Sequence, residues 1–195
     1  EAASEQDQEI AHQIRRLDAF RKQAMQWIGR LEGLMALHWP EVTELLALKG
    51  SSLVQCLMHY GSPKRLVADA EAHANFRRWG RAGLSEAKIE SVLESARSTR
   101  GVPASESAVR WIQEVAQQVH QSIQEVRACE KRLEAMAQAH QAIGRLVGET
   151  GGAVTLCAVW TTVGDPIDYS SGATILKALG LNLKELSSGK RQGQL

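Results

Sequence analysis

The residues best suited to chemistry lie close together near the end of the chain, in Ser187-Ser188-Gly189-Lys190-Arg191. A serine hydroxyl becomes a competent nucleophile only when a base or a metal activates it. Lys190 and Arg191 are placed to hold a phosphodiester, and Gly189 lets a backbone approach closely. By themselves the same residues describe an ordinary polar loop. A second candidate is the glycine turn at Gly148, Gly151 and Gly152, followed by an apolar run from Ala153 to Trp160. Free amides at the start of a helix attract anions, so such a unit can present N–H groups to a DNA phosphate. Close packing of two helices explains the glycines as well. A third is the basic stretch with Lys64, Arg65, Arg77, Arg78, Trp79 and Arg81. It reads either as a nucleic-acid grip with a ring to stack on a base or as a solvated helix face with Trp79 in the core.

Metal-dependent phosphoryl transfer needs carboxylates converging on a divalent ion. Asp165 and Asp168 sit in a turn, and Asp165 beside Pro166 is explained by turn chemistry. The six histidines show no HxxxH or HExxH spacing, and no cysteine belongs to a CxxC pair. The metal expectation is therefore none. Cys56, Cys129 and Cys157 each fall in an apolar-periodic stretch and read as buried, reduced thiols.

The elements that must position these groups are helical. One heptad pattern steps through Ile10, Ile14, Leu17, Arg21, Ala24, Ile28, Leu31, Met35 and His38. A second runs through Ala108, Ile112, Val115, Val119, Ser122, Val126, Cys129, Leu133, Met136, His140 and Ile143. Both exceed three heptads, which is what a coiled-coil seam needs. The segment between them is long enough for the chain to reverse, so the pattern predicts an antiparallel pair. Arg21, Ser122 and His140 weaken that seam and can set its register.

Turn signals punctuate the insertion between the heptads. Pro40 and Gly50 bracket a short helix, Glu41 to Leu48; Ser51 or Ser52 caps another through Tyr60; Gly61-Ser62-Pro63 breaks it. Pro63 opens a helix reaching Trp79, Ser85 caps one through about Thr99, and Gly101-Val102-Pro103 is the last break. After Gly144 the composition shifts to glycine turns and short helices, the last from Ala173 to Leu179. The expectation is an all-α chain. Residues 1–143 form a long antiparallel coiled coil with a helical insertion, and residues 144–195 a small helical module.

A net charge of +1, from 23 basic and 22 acidic residues, announces no partner by itself. No apolar run reaches the roughly 18 residues that span a bilayer, and the first ten residues are neither a signal nor a transit peptide. The chain begins without Met and stops in Gly193-Gln194-Leu195, so it reads as a fragment.

One run then resembles a known family. Gly164-Asp165-Pro166, Tyr169-Ser170-Ser171, Lys177-Ala178-Leu179-Gly180-Leu181-Asn182-Leu183-Lys184-Glu185 and Ser187-Ser188-Gly189-Lys190 follow one another as in DEDD-type insertion-sequence transposases, the bridge-RNA-guided recombinases. Leu37-His38-Trp39-Pro40-Glu41-Val42, Tyr60-Gly61-Ser62-Pro63 and Gly101-Val102-Pro103 look like the helical middle region of the longer members. The resemblance implies a missing N-terminal RuvC-like domain whose carboxylates bind Mg2+, so this part alone is inactive. It implies a helix-hairpin-helix-like C-terminal domain carrying a serine that links covalently to DNA. By motif position that serine is Ser188, with Ser187 the fallback. Gly148, Gly151, Lys184, Lys190 and Arg191 become the nucleic-acid-binding candidates. The implied partners are DNA, an element-encoded structured RNA, and further copies joined through the coiled coil as dimers or tetramers, with no membrane. The implied place is the bacterial cytoplasm, at the nucleoid when active. The alternative from another class is a non-enzymatic coiled-coil module that dimerises and binds nucleic acid.

Overall fold

A computed structural model describes residues 4–147 and 152–180, and among them the fold is all-α. Two 34-residue helices, α1 (Glu5–His38) and α7 (Glu106–Ala139), flank five shorter ones. These are α2 (Val42–Leu45), α3 (Ser51–Tyr60), α4 (Pro63–Val67), α5 (Ala72–Gly80) and α6 (Glu86–Arg97). After α7 come α8 (Gln141–Leu146), α9 (Ala153–Val163) and α10 (Gly172–Ala178). The chain divides into two compact units, residues 18–127 and residues 1–17 with 128–195. This division follows packing and cuts both long helices, whereas the shift in composition near Gly144 marks where glycine turns begin.

In the 18–127 unit, α6 packs on α2, α4 and α5, and α3 packs on α4 and α5. Trp39, Leu53, Leu57, Leu66, Phe76, Ile89 and Ile112 are fully buried there. Each such side chain contributes about 1.5–3 kcal/mol through removal of apolar surface from water. The indole N–H of Trp39 is not wasted: it donates to Ser95 Oγ at 3.1 Å. Local signals in the sequence set several boundaries. Ser62 and Ser85 accept the N–H groups of Arg65 and Lys88 as N-caps, and Gly61 ends α3 with φ +67°.

Three helical expectations are corrected. The helix from Pro63 to Trp79 is broken after Val67, because the Asp69 carboxylate accepts the Glu71 N–H at 2.9 Å and the Tyr60 hydroxyl at 2.6 Å. That local bond competes with helix continuation. The helix expected over 41–48 is only Val42–Leu45, since Leu46 turns to extended backbone at φ −132° and ψ 138°. The second heptad helix stops at Ala139, where extended His140 caps a separate α8 through its ring.

In the other unit the ends of the long helices run antiparallel, as two pairings fix. Cys129 Sγ meets the Gln13 carbonyl at 3.5 Å, and His140 Nε2 meets Asp7 Oδ1 at 3.2 Å, so numbering rises on one helix as it falls on the other. Ile10, Leu17, Cys129, Leu133, Ala137, Ile143 and Cys157 are buried. α9 packs against α8 and α10. Asp165 accepts the Ile167 N–H at 2.9 Å, which is the turn role expected beside Pro166.

Candidate functional site

The residues singled out for DNA chemistry, Ser187, Ser188, Lys184, Lys190 and Arg191, lie outside the described residues, as do Gly148 and Gly151. What is described begins where that glycine turn ends. Gly152 is the N-cap of α9, with extended backbone and no side-chain cap, so the first amides of this 11-residue helix have no side chain of the N-cap to satisfy them.

The basic stretch is brought into view in full detail. Arg65 pairs with Glu106 and Arg77 with Glu86, while Arg78 donates to Asn75 Oδ1 at 2.8 Å. Trp79 is half-buried against the core, edge to face with Phe76 at 5.7 Å and with Tyr60 at 6.0 Å. Carboxylates thus take up two of the cations, and the ring that would have stacked on a base belongs to an aromatic group. The core placement of Trp79 is the one realised.

A dense polar cluster among the described residues was missed by sequence reasoning. Asp7, in the first turn of α1, collects four donors: the Ser4 N–H at 3.2 Å, Ser4 Oγ at 2.6 Å, Trp160 Nε1 at 2.6 Å and His140 Nε2 at 3.2 Å. The ring of His140 stands edge to face with Trp160, centroids 4.9 Å apart. Desolvation pushes the Asp7 carboxyl up, but the bonds from Ser4, Trp160 and His140 outweigh it and hold the group below its ordinary value. An Asp–His pair can orient a general base. Here it does not, because His140 Nδ1 accepts the Ile143 N–H at 3.2 Å. The proton therefore sits on Nε2, and neither ring nitrogen has a lone pair left to take one from a substrate. The cluster ties three elements together. No spacing rule links Asp7, His140 and Trp160; the one signal in the sequence was His140 as a polar residue in an apolar seam.

Beside this cluster an open cleft of about 710 Å³ is lined by Ser4, Asp7, Gln8, Arg15, Trp160 and Asp165, among others. Among the described residues no group of three or more His, Cys, Asp or Glu is placed to hold a metal ion. The magnesium implied by the resemblance thus has no ligand set among them. No helix among the described residues is long and apolar enough to cross a membrane. Cys56, Cys129 and Cys157 are buried thiols. Compared with known protein families and with curated proteins, the chain matches none.

Proposed function

We propose that this chain is the C-terminal part of a DNA transposase of the DEDD insertion-sequence type. The observation that carries the reading is the ordered run from Gly164-Asp165-Pro166 through Gly180-Leu181-Asn182-Leu183 to Ser187-Ser188-Gly189-Lys190, behind two heptad-patterned helices. Two long helices enclosing a helical insertion, then a module of short helices, support it. In this reading Ser188 Oγ attacks a DNA phosphodiester. The new Ser–O–P bond forms as one sugar–phosphate bond breaks. Lys190 and Arg191 steady the phosphate charge, Lys184 adds to the basic surface, and Ser187 is the fallback nucleophile. The uncapped start of α9, after Gly148 and Gly151, offers amides to a second phosphate. A separate RuvC-like domain would hold Mg2+ on its carboxylates and would supply the Lewis-acid chemistry there; none of the described residues is assigned to it. An element-encoded RNA and self-association through the long helices complete the assembly, in the bacterial cytoplasm.

The test is Ser188→Ala in a protein that also carries the nuclease domain. Strand exchange is lost and RNA binding is kept; retained recombination sinks the assignment. A second reading, a non-enzymatic coiled-coil module that dimerises and binds nucleic acid, rests on the two heptad patterns of the sequence. Under it Ser188→Ala changes nothing, while log affinity for nucleic acid still falls with log salt.

A further inference from the structure

A cleft of about 530 Å³ opens in the 18–127 unit between α4, the end of α6 and the connection into α7. Its walls are apolar: Pro63, Val67, Ala96, Pro103, Ala104 and Val109. Cations stand among its lining residues, Lys64, Arg65 and Arg97, against one acid, Glu106, which Arg65 already neutralises. Lys64 has no partner among the described residues. Arg97 is engaged only by Glu94 of its own helix, a pair whose members are half or more exposed and which yields easily to a better anion.

The lining also includes His38, which is only 8 % exposed. Its Nδ1 meets the Val102 carbonyl at 2.8 Å. A carbonyl only accepts, so the proton is on Nδ1, and Nε2 of the neutral ring is left as an acceptor. Among the described residues no buried side-chain nitrogen lacks a partner, so Nε2, which no described residue bonds, is open to solvent. The Nδ1 bond holds the ring against the Val102 segment, whose backbone is itself fixed. The Val102 N–H is bonded to the Leu37 carbonyl at 2.8 Å, and a Cβ on Gly101 would collide with the His38 carbonyl. A concave apolar slot with one fixed polar group is how small-molecule sites are built, and this volume lies within their usual range.

We propose that this cleft binds a nucleoside monophosphate unit. The flat heterocycle lies between the proline and alanine walls, an N–H of the base donates to His38 Nε2, and the phosphate meets Lys64 and Arg97. A purely apolar ligand would leave Nε2 without a donor, and a bare anion would leave the walls wet. The same unit can come from a free nucleotide or from an unpaired base of a strand. The inference rests on the nucleic-acid reading above and narrows it to one subsite, yet its test needs no strand exchange.

The 195-residue chain is titrated at low salt with AMP, CMP, GMP and UMP, following the His38 ring nitrogens by NMR. Inorganic phosphate, adenosine, a duplex with a one-base bulge, the fully paired duplex and an acidic, apolar peptide are run beside them. Saturable binding of at least one mononucleotide, with a shift at His38 Nε2, is expected. Arg97→Ala and Lys64→Ala each weaken it by about tenfold, the loss of one charge-assisted hydrogen bond. Val67→Trp, at a position 42 % exposed, fills the cleft and abolishes binding with the melting temperature kept. Binding of the free nucleotide marks a nucleotide site, and binding of the bulged strand alone marks a flipped-base site. Phosphate binding as well as AMP, preference for the peptide, or no shift at His38 overturns the proposal. None of these outcomes touches the Ser188 assignment.

Discussion

The indole N–H of Trp160 donates to Oδ1 of Asp7 at 2.6 Å, joining residues 153 positions apart in the chain. The same oxygen takes the Nε2–H of His140, so one carboxylate ties the first turn of α1 to α9 and to the cap of α8.

Asp7→Ala therefore leaves Trp160 Nε1 and His140 Nε2 without their acceptor. The expected loss is about 1–3 kcal/mol, the range for a partly buried donor stripped of its partner. Because the folded carboxyl lies below its unfolded value, its contribution is complete above the unfolded pKa, about 3.9. It fades as pH falls through the folded value. Urea midpoints at pH 7 and pH 3 should separate wild type from variant at the first pH much more than at the second.

At the alkaline end the relevant group is Tyr60. Burial first, then its bond to Asp69, push the hydroxyl up to about 12, although Asn75 donating to it pulls the other way. A raised folded value means stability that is complete below about pH 10 and lost as pH rises toward the folded pKa. Absorbance at the phenolate band should show one late transition, which Tyr60→Phe removes. A tyrosine titration finished by pH 11 would contradict the burial of that hydroxyl.

Gly61→Ala is expected to be among the costliest small changes. The position has φ +67°, and an added Cβ would stand 2.8 Å from the Val109 carbonyl oxygen. Left-handed strain alone amounts to about 1–2 kcal/mol, and the backbone contact adds to it. A melting temperature within two degrees or so of wild type would show that α7 slides away freely.

Trp39→Phe and Trp39→Ala separate shape from hydrogen bonding in the core of the 18–127 unit. Trp39 is 0 % exposed. Truncation to Ala costs about 3–5 kcal/mol through the cavity it leaves. The Phe variant retains most of the packing, removes one donor from Ser95 Oγ, which keeps its bond to the Val92 carbonyl at 3.0 Å, and costs markedly less. Equal losses for the two would mean that the Ser95 bond outweighs the packing.

Much of the fold was legible because its signals are local. The heptad positions Ile10, Leu17, Leu31, Ile112, Val119 and Leu133 are buried, and Ser62, Ser85 and Gly61 punctuate the helices where their chemistry requires. Where long-range partners decide, the sequence was mute. Asp69 breaks a helix because Tyr60 holds it from another element, and His140 leaves the seam helix because its ring caps α8 between Asp7 and Ile143. The Asp7 cluster could not be found from spacing, since its members come from three separate stretches. The serine motif was legible as a resemblance alone, and its residues lie outside those described.

The three sequestered thiols give the molecule a built-in readout of how it comes apart. Cys56 lies in the 18–127 unit, while Cys129 and Cys157 lie in the other. Burial pushes the Cys56 and Cys157 thiols up, so neither reacts until its surroundings open. Labelling with a thiol reagent, read site by site by mass, thus times the opening of each unit separately, with no probe added. Simultaneous labelling means one cooperative transition; early labelling of one site names the unit that yields first.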